Sequence, residues 1–116
     1  MNGAIAKPEA IWKGRAVLVI KKDKIIQFEK ALDKIIEPTL KEKGVISYEA
    51  FRVLDDEGKK TNRFEFHELW VSKDAMMIDH KENAPHMKEF FSEIKAESED
   101  GYVESFEVDG KWVLKI

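Results

Sequence analysis

Apolar and polar positions change period several times along this chain, and each change marks an element. RAVLVI, Arg15 to Ile20, is a β-branched run suited to a buried strand, closed by the Lys-Lys-Asp turn at 21–23. From Lys24 the period becomes helical. Ile25, Phe28, Leu32, Ile35, Ile36, Thr39 and Leu40 recur at steps of three and four, while Glu29, Lys30, Asp33, Lys34 and Lys41 cover the other side. Pro38 lacks an amide donor, so the spacing predicts a bent helix that ends near Lys43, with Gly44 closing it.

Two further runs, Val45 to Leu54 and Asn62 to Ser72, are rich in β-branched and aromatic residues and are joined by the polar stretch DDEGKKT, which predicts an antiparallel hairpin. A short helix from about Lys73 to Lys81, a break at Glu82 to Pro85, and an amphipathic helix carrying Met87, Phe90, Phe91 and Ile94 follow. YVESFEV and KWVLKI then flank Asp109-Gly110, a dipeptide suited to a tight type I′ turn. Residues 1–13, with Pro8 and little periodicity, read as an N-terminal arm, and residues 14–116 as one domain. This order predicts an α+β sandwich: helices on one face of an antiparallel sheet of four or five strands.

Strand alternation divides the residues between two faces. Phe64, Phe66, Glu68 and Trp70 share the more aromatic face, which should meet the helices; Arg63, Glu65, His67, Leu69 and Val71 share the other. Glu68 then points into the layer between sheet and helices, where a carboxylate needs a partner and its pKa rises. The opposite face has no third layer to cover it, and a two-fold homodimer with sheet against sheet is expected there.

Composition narrows the chemistry. With 116 residues, 43% hydrophobic and 37% charged, the chain fits one globular domain. A net charge of −3 without a basic stripe argues against nucleic acid. No apolar run approaches the roughly 20 residues that cross a bilayer, and MNGAIAKPEAIWKG lacks the apolar core of a secretory signal, so no membrane partner and a cytoplasmic location are expected. Cysteine is absent, which removes disulfides, thiolate nucleophiles and sulfur-ligated zinc. The six glycines are too scattered for a phosphate-binding loop, and no serine sits in a nucleophile-elbow context.

Candidate chemistry gathers in ELWVSKDAMMIDHKENAPHMKEFF, Glu68 to Phe91. His80 and His86 flank the helix break. A histidine there can move protons to or from a bound phenol or enol, while the bland alternative is a solvent-facing helix-end residue. With Glu68 they offer up to three metal ligands, but the spacing matches no zinc-binding pattern, so no metal is expected. Trp70 suits the flat wall of a pocket for a planar ligand, against ordinary core packing, and Met76, Met77 and Met87 are adaptable gap-fillers.

Taken together, EPTLKEKGVISYEAFRV, NRFEFHELW and KDAMMIDHKENAPHMKEF resemble the antibiotic biosynthesis monooxygenase domain family, from about Arg15 to Phe106. The likeness lies in a glutamate two residues before a tryptophan, a histidine in the next helix, and a Pro-His pair opening the helix after that. The resemblance implies a ferredoxin-like fold, a dimeric α+β barrel, and a ligand cavity between sheet and helices of each subunit. It also implies a cofactor-free oxygenase acting on a small phenolic or quinol-type molecule: His80 taking the phenolic proton, Glu68 orienting or balancing it, Trp70 lining the ring. Phe66, Met77, His86 and Phe90 would complete the substrate pocket. The alternative branch degrades haem, with His80 on the iron, but its first-strand asparagine has no counterpart in RAVLVI. A dimer that binds a small molecule without catalysis is a third class.

Overall fold

A computed structural model describes residues 10–116. Its first strand, β1, spans Ala10–Ile20 and so takes in four residues assigned above to the arm; the remainder of that arm lies outside the described residues. Helix α1 covers Ile25–Leu40, the hairpin strands β2 and β3 cover Val45–Leu54 and Lys60–Trp70, helix α2 covers Pro85–Ile94, and β4 covers Val103–Leu114. A π-helical turn, Ala75–His80, links β3 to α2. The sheet has four strands in the order β2-β3-β1-β4, every pairing antiparallel, with the helices on one face. This is the expected α+β, ferredoxin-like arrangement.

The helices dock through the stripes that their periodicity announces. Phe28, Ala31, Ile35 and Thr39 of α1 are buried, as are Met87, Phe90 and Ile94 of α2. Across the sheet, register places Trp12 opposite Trp70, Ala16 opposite Phe66 and Leu18 opposite Phe64, so one aromatic face meets both helices.

Helix α1 stops at Leu40, short of the expected Lys43. Pro38 has no N–H to give the Lys34 carbonyl, and the exit tightens instead into three-residue bonds, Lys41 N–H to Pro38 O (3.2 Å) and Glu42 N–H to Thr39 O (3.0 Å). The tightened exit delivers Glu42 beside the last turn.

Asp109-Gly110 is not a turn, contrary to the expectation from the dipeptide. It lies inside β4, which pairs with β1 along its whole length, Gly110 opposite Gly14 and Asp109 opposite Arg15. Two features favour the continuous strand. The Trp12 indole lies against Gly110 so closely that a Cβ there would sit 2.5 Å from the ring. Arg15 reaches Glu107 and Asp109 at 3.7 and 3.8 Å. Local turn preference yields here to strand pairing with β1, whose length the apolar pattern understates.

Candidate active site

Between the inner face of the sheet and the helices lies a cavity of about 30 Å3, room for about two water molecules at roughly 10–15 Å3 each. Most of its lining is hydrocarbon, with Leu18, Ile35, Phe66, Met76, Phe90 and Phe106 prominent, and the side chains with chemistry to offer are Tyr48, Glu68, His80 and Lys81. Met76 reaches the wall because Gly14 leaves a notch in β1: a Cβ at Gly14 would stand 2.1 Å from the Met76 sulfur.

Glu68 and Trp70 lie two apart on β3 and therefore share its inner face. Both are buried, and the indole Nε1–H donates to Glu68 Oε1 at 2.9 Å. Burial pushes the Glu68 carboxyl up to about 7; the indole bond opposes the rise and the Glu42 charge adds to it. Near neutral pH this carboxyl is thus part protonated, and Glu68 is one of the residues that line the cavity.

His80 ends the π-helical turn and is buried. Its Nδ1 lies 2.6 Å from Glu42 Oε2, and its ring rests against Trp70 and Tyr48, with centroids 4.8 and 5.3 Å away. Burial holds the imidazole down to about 4, so it is neutral at pH 7. A neutral ring this close to a carboxylate carries its proton on Nδ1, leaving a lone pair on Nε2 at the far side of the ring. Tyr48 is buried from β2, and desolvation together with the Glu68 and Glu42 charges pushes its phenol well above the ordinary value, so it stays protonated.

His86, in the first turn of α2, brings Nε2 within 3.1 Å of the same Glu42 oxygen and 3.0 Å of Thr39 Oγ1. One carboxylate oxygen therefore receives two imidazoles. Burial raises the Glu42 carboxyl and His86 opposes the rise.

Of the residues singled out from the sequence, Phe66, Glu68, His80 and Phe90 line the cavity. Trp70 is fully buried behind it, holding Glu68 and flanking His80. Met77 packs half-buried against the core, and His86 joins Glu42 rather than the cavity wall. Glu68, expected beside His80, turns to Trp70, and the carboxylate that reaches His80 is that of Glu42. Glu42 carried no signal, lying in a charged helix end 38 residues away. Tyr48 had one: it shares the inward phase of SYEAF.

A haem does not fit between these walls as they stand, since the cavity of about 30 Å3 is far smaller than a macrocycle. The sequence model of the antibiotic biosynthesis monooxygenase family matches residues 15–93, more than half of the chain. The chain belongs to this family. Solved structures agree with the family's fold. Protein PA3566 of Pseudomonas aeruginosa is 18% identical, covers 93% of this chain and 98% of its own, and superposes with a TM-score of 0.72. Protein SO0527 of Shewanella oneidensis is 24% identical over 90% of this chain and 92% of its own, with a TM-score of 0.70. Rv0793 of Mycobacterium tuberculosis is 20% identical over 91% and 97%, with a TM-score of 0.69. No curated protein matches the sequence. Within the antibiotic biosynthesis monooxygenase fold, then, Glu68, Trp70 and His80 meet in three dimensions, with Glu42 as an unannounced fourth member.

Proposed function

We propose that this chain is a monooxygenase that works without a cofactor on a small, electron-rich phenol or hydroquinone. The observation that carries the reading is the apolar cavity into which two proton-handling groups converge, His80 with its Nδ1 tied to Glu42 and Glu68 with a carboxyl near half-ionisation. The phenol ring lies among Phe66, Phe90 and Met76, and His80 Nε2 takes its proton as Glu42 steadies the positive ring that forms. Excluding water keeps the phenolate electron-rich. It passes one electron to O2, the phenoxyl radical and superoxide combine at a ring carbon, and the hydroperoxide loses water to leave a quinone. The balance is phenol plus O2 to quinone plus H2O: His80 hands the phenolic proton to the peroxide oxygen, and Glu68 carries the ring-carbon proton to the departing hydroxide. A ring needs more room than the present cavity, since about 150 Å3 admits a benzene; the flexible methionine wall supplies it by changing rotamer.

Oxygen uptake with a panel of hydroquinones and polycyclic phenols tests this. The wild type should consume O2 with at least one of them, and His80→Ala should slow turnover about 10²–10⁴-fold, the usual weight of a general base. No uptake with any substrate, alongside tight binding of the same molecules, would replace the oxygenase with a small-molecule-binding protein.

A further inference from the structure

The mechanism uses one side of His80; the other side belongs to a cluster that it leaves unexplained. His80 Nδ1, His86 Nε2 and a Glu42 carboxylate oxygen lie within 4.8 Å of one another and come from three separate places: the π-helical turn, the start of α2 and the exit of α1. Glu42 and His86 are not cavity walls, whereas His80 is. The three donors therefore converge behind the histidine, away from the substrate.

We propose that Glu42, His80 and His86 bind a divalent transition-metal ion, and that its binding switches off His80 as the proton acceptor of the cavity. Two imidazoles and one carboxylate are a donor set for borderline ions such as Zn(II), Co(II) or Fe(II), not for Mg(II) or Ca(II), which prefer oxygen. Bonds of roughly 2.0–2.2 Å hold tetrahedral ligands about 3.3 Å apart. The carboxylate oxygen now stands 2.6 and 3.1 Å from the two nitrogens, so a small rotation of Glu42 opens the required space. Thr39 Oγ1, 3.0 Å from the same His86 nitrogen, is a neutral oxygen placed for a fourth position. The Asp79 carboxylate, close enough to act on Glu42, adds negative charge near the incoming cation.

The switch follows from the imidazole itself. A ring that ligates metal through Nδ1 carries its proton on Nε2, so the proton that Nδ1 now gives to Glu42 moves to the far nitrogen. The proton count is unchanged, but the atom facing the substrate becomes a donor with no lone pair. This second half rests on the oxygenase reading; the ion site itself does not.

Chelator-treated protein titrated with Co(II) and with Zn(II) separates the two. One ion per chain is expected, with visible Co(II) absorption of low coordination number, and binding at least tenfold weaker in His86→Ala and in Glu42→Gln. Nitrogen-15 spectra of labelled histidine should show His80 Nε2 unprotonated before Zn(II) and protonated after it. No binding of either ion at millimolar concentration, or binding undiminished in His86→Ala, overturns the site. Binding that leaves Nε2 unprotonated overturns the switch. Should no substrate consume oxygen, the titration and the spectra still read the ion site; His86 is only half-buried, so its alanine variant tests the site even if the Glu42 variant fails to fold.

Discussion

At the scale of single residues the deciding feature is a buried carboxyl whose hydrogen bond comes from a neutral indole. Glu68 is 4% exposed, its neighbours are Trp70, Tyr48, neutral His80 and the like charge of Glu42, and its folded pKa of about 7 stands above an ordinary 4.5. The unfolded chain releases the Glu68 proton first as pH rises. Stability contributed by this group is therefore complete below about pH 4.5, falls between 4.5 and 7, and levels off above, a loss on the order of 3 kcal/mol at 1.36 kcal/mol per unit. Glu68→Gln keeps an acceptor for the indole and removes the titration. Urea unfolding at pH 5 and pH 8 should show the wild type losing about 2.5 kcal/mol more than the variant; equal losses would mean that the carboxyl is solvated. Glu68 and His80 were legible as cavity-lining residues because strand phase and a helix break announce them. Glu42 was not, since its role arises from Pro38 shaping a helix exit, and nothing local to Lys41-Glu42-Lys43 marks that.

Among elements, the two helices and the β2–β3 hairpin could be read from period alone, for their apolar positions recur cleanly. β1 and β4 could not. Their outer ends alternate weakly, and Asp109-Gly110 imitates a hairpin that long-range pairing with β1 overrides. The same pairing creates the Gly14 notch in which Met76 lies. Gly14→Ala should drive Met76 into the cavity at a cost of about 1–3 kcal/mol, as overpacked sites do, and weaken binding of any ring-sized ligand by tenfold or more. Thermal unfolding and tryptophan-fluorescence titration with a naphthol would measure both. Unchanged affinity would place the ligand elsewhere.

For the whole molecule, strand phase in the sequence defines a reverse face of the sheet that no helix among the described residues covers. That face proves mixed. Arg15 pairs with Glu107 and Asp109, Arg63 pairs with part-buried Glu65, each contributing little by itself, and His67 lies 3.1 Å from the Glu65 carboxylate. Between them lie Val17, already 4% exposed, half-buried Leu69, and Phe51 at 46%. Such a surface suits a second copy of the chain, and sedimentation should give about twice the 13.5 kDa of one. Leu69→Glu should return a single chain at micromolar concentration. A wild type that sediments alone would exclude the dimer. Among the described residues no helix is long and apolar enough to cross a membrane.

The π-helical turn sets the direction of His80 by a wider winding than its neighbours use. Lys81 N–H reaches back to Met76 O and Asn83 N–H to Ile78 O, five residues in each case. An ordinary turn closes over four. Deleting one residue between Ala75 and Asp79 would restore that closure and shift His80 by about 100° about the axis of the turn. The imidazole would leave both Glu42 and Trp70 together, so the contacts that hold it hang on a single surplus residue.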